Sequence, residues 1–218
     1  KHTGSEPRAQ RALAAQNLGT REGRFGWHYL AGGYAAAWAR GNTRAEIFDA
    51  FMRREVYATT GPRMVLRLFA GFDFAEDDWD GDWVRAGYTR GVPMGGDLAS
   101  RGAQSPEFLV WVTRDPASNA LQRAQIVKGW IDADGNTQEA VFDVACAGGV
   151  AVNPETQRCP DNNATVDAAT CATSADTGAD ELRAVWRDPT YVAGENAAYY
   201  VRALENPTCR WSSWDALR

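Results

Sequence analysis

Apolar and polar positions change their rhythm once along this chain, near Arg63. Before it, residues 42–63 (NTRAEIFDAFMRREVYATTGPR) are written at helical spacing. Ile47, Phe48, Phe51 and Met52 fall at i, i+1, i+4 and i+5, which predicts one apolar helix face. Thr43 stands as the N-cap, and Glu46 three residues later predicts a capping box. Residues 56–60 lean towards β-structure and are stopped by Gly61-Pro62. Residues 30–39 (LAGGYAAAWA) sit where a buried strand should precede the helix, so residues 31–60 read as one βαβ unit. Residues 7–17 favour a short helix, and residues 21–27 a polar loop.

After Arg63 the helical spacing gives way to short runs rich in Val, Phe, Trp and Tyr. They cover residues 64–69, 108–113, 125–130, 141–145 and 199–204, separated by turn signals. That pattern predicts a β-sandwich or a twisted antiparallel sheet. Asp132-Ala133-Asp134-Gly135-Asn136 is placed as a hairpin turn between two of the runs. Residues 147–197 are poor in large apolar side chains and predict a long irregular excursion, with a short helical turn around residues 180–186. The expected class is therefore α+β, divided into residues 1–63 and a β-rich, sandwich-like domain at 64–218.

Composition narrows the partners. With 44% hydrophobic residues and nine tryptophans among 218, the chain can bury a real core. A net charge of −5 without any basic stripe argues against nucleic acid or an anionic membrane surface. The longest apolar run, residues 30–39, is half of what a bilayer needs and is broken by two glycines, so no membrane span is expected. The opening Lys1-His2-Thr3-Gly4 reads as an internal stretch, which suggests the C-terminal part of a longer protein.

Four cysteines fall at 146, 159, 171 and 209. No Cys-x-x-Cys pair and no nearby histidine supports a zinc knuckle. Of the three possible connectivities, Cys146–Cys159 and Cys171–Cys209 are favoured. The first closes a Gly/Asn/Pro-rich loop, and the second ties the 161–180 segment back to the fold. Such bridges imply an oxidising compartment, periplasmic or secreted.

Motifs for chemistry are sparse. Two histidines, His2 and His28, cannot by themselves build a multi-histidine metal site. The acidic stretch at 73–82 and the Asp132–Asn136 turn both lack the spacing of a calcium loop and read as solvated acidic loops. Residues 91–98 (GVPMGGDL) predict a tight loop with close backbone approach rather than a phosphate cradle. No Gly-x-Ser-x-Gly elbow or His-Glu-x-x-His helix occurs.

Four segments occur in a fixed order: GGYAAAWARGNTRAEIFDAFMRREVYATTGPR, VPMGGDL, LQRAQIVKGW and YYVRALENPTCRW. Together they resemble the C-terminal part of the bacterial domain-of-unknown-function family 3604. That family is similar to the PHP superfamily (polymerase and histidinol phosphatase) and to carbaryl-hydrolase-like metallohydrolases. In those proteins a metal-binding α/β barrel precedes a β-rich C-terminal domain. The resemblance implies that residues 1–63 are the C-terminal βαβ piece of a PHP-like barrel. Lys1-His2-Thr3 matches the end of a Ser-Asp-x-His-Thr segment supplying late metal ligands, which makes His2 a ligand and leaves the Asp and all earlier ligands upstream. Catalytic residues in such barrels lie at the C-terminal ends of strands, so Arg40, Asn42 and Thr60 become pocket-lining candidates.

The function implied is that of an exported metal-dependent hydrolase acting on a small phosphoester, amide or ester. Zinc, manganese or iron would activate a bound water and polarise the scissile group. The upstream part of the same protein is the expected partner. The alternative is a non-catalytic binding or structural β-sandwich, with Trp79, Trp83, Trp211 and Trp214 as a surface for glycans or a protein partner.

Overall fold

The computed structural model describes residues 33–174, 176–210, 213, 214 and 217. The expected helix at 7–17, the loop at 21–27, His2 and His28 lie outside the described residues. Among the described residues nine strands, with two α-helices between them, follow in the order β1 (Tyr34–Ala37), α1 (Arg44–Met52), β2 (Val56–Thr59), β3 (Val65–Gly71), α2 (Trp83–Arg90) and β4 (Gly91–Pro93), then β5 (Glu107–Thr113), β6 (Leu121–Ile131), β7 (Thr137–Cys146), β8 (Glu181–Arg187) and β9 (Ala197–Glu205). All pairings between these strands are antiparallel.

The strands form a β1-β2 hairpin, a four-stranded sheet ordered β4-β3-β5-β8 and a three-stranded sheet ordered β7-β6-β9. The β-rich architecture expected after Arg63 is what folds. Alternation along β5 explains how the two larger sheets stack. Phe108, Val110 and Val112 turn one way, onto Leu121, Ala124 and Ile126 of β6, and all six are essentially water-free. Leu109 turns the other way and, with Phe69, is covered by Phe74, Trp79 and Trp83. Each such apolar side chain contributes roughly 1.5–3 kcal/mol through burial.

α2 lies directly against the four-stranded sheet, because Gly87 brings its backbone onto the Phe69 ring. Asp82 caps the helix by accepting from the Arg85 N–H at 3.0 Å.

A charged pair lies within the core. Lys128, on the inward face of β6 beyond Ala124 and Ile126, meets Asp188 just past β8 at 2.8 Å, with both side chains essentially inaccessible. Its ammonium also donates to the Thr190 carbonyl at 3.0 Å. The Asp188 carboxylate accepts in addition from Tyr199 Oη at 2.7 Å and from the Thr190 N–H at 2.8 Å. Burial would raise this carboxyl, but the donors from Lys128, Tyr199 and Thr190 outweigh it and hold Asp188 below the usual range. The same contact with Asp188, added to burial, pushes the Tyr199 phenol strongly up.

Both disulfides form as expected. Cys146–Cys159 closes the loop after β7, and Cys171–Cys209 ties the irregular segment to the chain beyond β9. The Asp143 carboxylate, fully buried beneath the first loop, accepts from Gln125 Nε2 at 2.6 Å and from the Cys159 N–H at 2.7 Å. The Asp132–Asn136 turn joins β6 to β7, with Asp132 accepting the Asp134 and Asn136 N–H groups.

Three expectations need correction. Residues 31–60 are not a βαβ crossover unit, because β1 and β2 pair antiparallel, Tyr34 opposite Thr59 and Ala37 opposite Val56. A reversal at Arg54, in the left-handed region at φ 62°, sends the chain straight back along β1, whereas a parallel pair needs a helix packed across the sheet. Second, the apolar face of α1 is not buried: Phe48, Phe51 and Met52 are 62%, 48% and 67% exposed. Third, residues 181–187 form a strand rather than a helical turn, pairing with the whole of β5 and turning Leu182 and Ala184 into the core.

Candidate functional site

The hairpin and α1 meet the sandwich along a seam. Trp38, just beyond β1, donates its indole N–H to the Leu66 carbonyl of β3 at 3.0 Å, and Tyr57 of β2 donates to the Met64 carbonyl at 3.1 Å. These bonds fix the edge of the hairpin against β3. On the Trp38 side of this seam opens a cleft of about 620 Å³, walled by Trp38 and Arg40, by Asp49 of α1, by Glu55, and by Arg67 and Tyr88 from the sandwich.

A chain of charged hydrogen bonds runs along its floor. Glu55 is only 4% exposed, and its carboxylate accepts from Arg53 Nε at 2.8 Å and from Tyr88 Oη at 2.5 Å. Tyr88 Oη in turn accepts from Arg67 at 3.1 Å. The Tyr88 phenol is pushed up by burial and by its bond to Glu55, against the pull of the Arg67 charge, so it stays a neutral donor. Arg67 is half-buried, with its guanidinium 3.9 Å from the Trp38 ring centre and 5.5 Å from each of Phe69 and Tyr88. Such faces compensate a desolvated cation by roughly 0.5–2 kcal/mol. Arg53 is raised by its bond to Glu55.

The pocket-lining candidates do not converge. Arg40 lines the seam cleft. Thr60 lines a different groove, about 540 Å³, running between β2 and β9 over Met64, Leu66 and Met94. Asn42 is exposed and walls neither. The Gly-rich loop at 91–98 makes the close approach expected of it, with Gly95 at φ 78° seated against the Arg54 backbone.

The four residues that organise the cleft, Trp38, Glu55, Arg67 and Tyr88, were not singled out by sequence. The available signal was weak: a Glu after two arginines in a helix-to-strand link, and an Arg within an apolar β-run.

The tryptophans and the acidic stretch named above pack as follows. Trp79 and Trp83, both partly exposed, lie 5.2 Å apart, and Trp83 lies 5.5 Å from Trp111, within the layer that covers Phe69, while Trp214 is exposed. Trp211 lies outside the described residues. The acidic stretch is consumed locally: Asp73 pairs with Arg101 at 2.8 Å, Asp78 with Arg90, and Asp82 caps α2. Among the described residues no group of three or more His, Cys, Asp or Glu side chains is placed to hold a metal, and all four cysteines are oxidised.

A family model described as protein of unknown function (DUF3604) matches residues 1–218, and the chain belongs to that family. No curated protein and no solved structure matches it. Among the described residues no helix is long and apolar enough to cross a membrane.

Proposed function

We propose that this chain is the C-terminal part of an exported metal-dependent hydrolase whose small-molecule substrate carries a phosphoester, amide or ester. The observation that carries this reading is the seam cleft, a roomy cavity where the 33–63 segment meets the sandwich. A polar floor with one buried carboxylate and an aromatic wall suits a small polar ligand. The two disulfides support export to an oxidising compartment, the periplasm or the exterior. The exposed Phe48, Phe51 and Met52 support a further part of the same protein packing on α1.

In this reading residues 1–63 are the C-terminal end of a PHP-like barrel, closed by an antiparallel hairpin rather than a βαβ unit, and His2 is one ligand of a zinc, manganese or iron site whose other ligands lie upstream. The described residues supply no such ligand set, so no catalytic step is assigned to them. Their contribution is to wall the substrate pocket and hold it rigid through the Glu55–Tyr88–Arg67 chain.

Elemental analysis of the protein with its upstream region tests this, wild type against His2→Ala after exhaustive desalting. One to three bound metal ions per chain on the order expected for hydrolytic sites, reduced by the substitution, is the expected result. Equal metal content in both proteins, or none in either, refutes it.

A further inference from the structure

We propose that the Arg67 side of the seam cleft is an oxyanion subsite that takes a phosphate, sulfate or carboxylate group of a small-molecule ligand. Three observations converge on it.

The first is an unmatched charge. No carboxylate among the described residues pairs with Arg67, and its one hydrogen bond there is to Tyr88 Oη. The neighbouring carboxylate, Glu55, is already held by Arg53 and by the Tyr88 hydroxyl. A guanidinium has five N–H donors, so most of Arg67's hydrogen-bonding capacity is left for a ligand. A half-buried cation without an anion carries a desolvation cost that a bound anion would offset.

The second is rigidity. Trp38 is anchored through its indole N–H to Leu66, next to Arg67 on the same strand, and stacks its ring on the guanidinium. Tyr88 commits its own proton to Glu55 and therefore offers Arg67 only an acceptor, which pins one end of the guanidinium fork. A flat, pre-oriented fork is matched to the paired oxygens of carboxylate and phosphate, and little rotamer entropy remains to be lost on binding.

The third is the polarity of the walls. Arg40 lines the same cleft and has no charged partner among the described residues. Glu46 and Asp49 line the cleft from α1, where the cation Arg53 is already paired with Glu55, so an anion is drawn towards Arg67 and Arg40 rather than to those carboxylates.

This deepens the hydrolase reading by naming a group its substrate would carry, but it is measured by binding alone. Isothermal titration of the 218-residue chain with inorganic phosphate, sulfate and acetate, in low-salt buffer, is the experiment. Saturable binding of at least one anion is expected. Arg67→Gln and Arg40→Gln should each weaken it, the former by about tenfold or more, since one charge-assisted pair is worth about that factor. Arg67→Lys, which keeps the charge without the fork, should fall between wild type and Arg67→Gln. Arg85→Gln, an exposed arginine on α2, should leave binding unchanged. Binding of phosphate and sulfate without acetate assigns a tetrahedral anion, and the reverse a carboxylate. No saturable binding, or binding that Arg67→Gln and Arg40→Gln leave intact, overturns the subsite. Thermal unfolding of each variant checks folding, and Arg40, exposed in a loop, gives an answer even if Arg67 variants unfold. Loss of the subsite would leave the metal measurement untouched, so the two readings fail separately.

Discussion

Replacing Gly87 by Ala sets two effects of known size against each other. In an exposed helix interior the change gains about 1 kcal/mol, because Ala loses less backbone entropy than Gly. At Gly87 the added methyl would stand 2.5 Å from both Cγ and Cδ2 of Phe69 and 2.8 Å from Cδ1. These atoms are the root of a ring, not a flexible tip, and the ring is fully buried. It is also held edge-on by Tyr88 at 5.0 Å and by Trp83 at 6.2 Å. Overpacking of this kind costs about 1–3 kcal/mol, and three simultaneous contacts below 3.0 Å place Gly87→Ala in the upper half of that span. The net expectation is a loss of about 1–2 kcal/mol. With an m-value of about 2 kcal/mol/M, the urea midpoint should fall by roughly 0.5–1 M at unchanged m.

Gly129→Ala is the matched control, since its new methyl meets nothing closer than the Gln138 carbonyl at 3.9 Å. Inside β6 the same entropy, unopposed by a clash, should leave it stabilised by about 0.5–1 kcal/mol. Near-ultraviolet circular dichroism reads the Phe69, Trp83 and Tyr88 cluster directly, and should change for Gly87→Ala only. A Gly87→Ala protein as stable as wild type, with an unchanged aromatic spectrum, would refute the claim that α2 rests its backbone on Phe69.

Lys128→Met should cost about 3–5 kcal/mol in chemical denaturation, because it strands Asp188 as an unpaired buried carboxylate; a loss below 1 kcal/mol would show that water reaches the pair. Asp188 has a folded pKa below its unfolded value, so its stabilisation is complete above about pH 4 and is lost as pH falls through the lower folded value. Asp188→Asn should accordingly flatten the acid limb of a Tm–pH profile, and superimposable profiles would contradict the assignment. The disulfide loops span 38 and 13 residues and do not overlap, so chain entropy assigns about 4 kcal/mol to Cys171–Cys209 and about 3 kcal/mol to Cys146–Cys159. Paired Cys→Ala variants compared by denaturant unfolding would rule out the entropic account if the shorter loop proved the costlier to open.

What was legible in the sequence was what short-range chemistry decides. Five strands announced themselves as short runs rich in Val, Phe, Trp and Tyr between turn signals, and the Asp132–Asn136 turn through residues that accept their own neighbours' N–H groups. The Thr43 cap is also local, its hydroxyl accepting from the Glu46 N–H at 3.3 Å. β8 was missed because Glu, Leu, Arg and Ala favour helix locally. Its alternation of Leu182, Ala184 and Trp186 against charged residues acquires meaning only beside β5. The cleft was hidden for a related reason. Trp38, Glu55, Arg67 and Tyr88 are each unremarkable in their own segments, and only the Trp38–Leu66 and Tyr88–Glu55 bonds bring them together. Arg40 was reached through the expected strand end preceding it, whereas Asn42 and Thr60 took up other parts of the surface.

The order in which strands join the two large sheets bears on how the chain folds. β5 and β6 are sequence neighbours and occupy interior positions of different sheets, yet each waits for a strand from the last part of the chain. β5 needs β8, with Thr113 opposite Glu181, and β6 needs β9, with Leu121 opposite Glu205. The β6-β7 hairpin and the β3-β4-β5 group can form early from nearby segments, but closure over loops of this length is slow. During synthesis and folding both central strands therefore spend an interval with one open edge, the state most prone to wrong pairing with another chain. Cys171 and Cys209 bracket β8 and β9, so oxidation of that pair after docking would lock both late strands in a single covalent event.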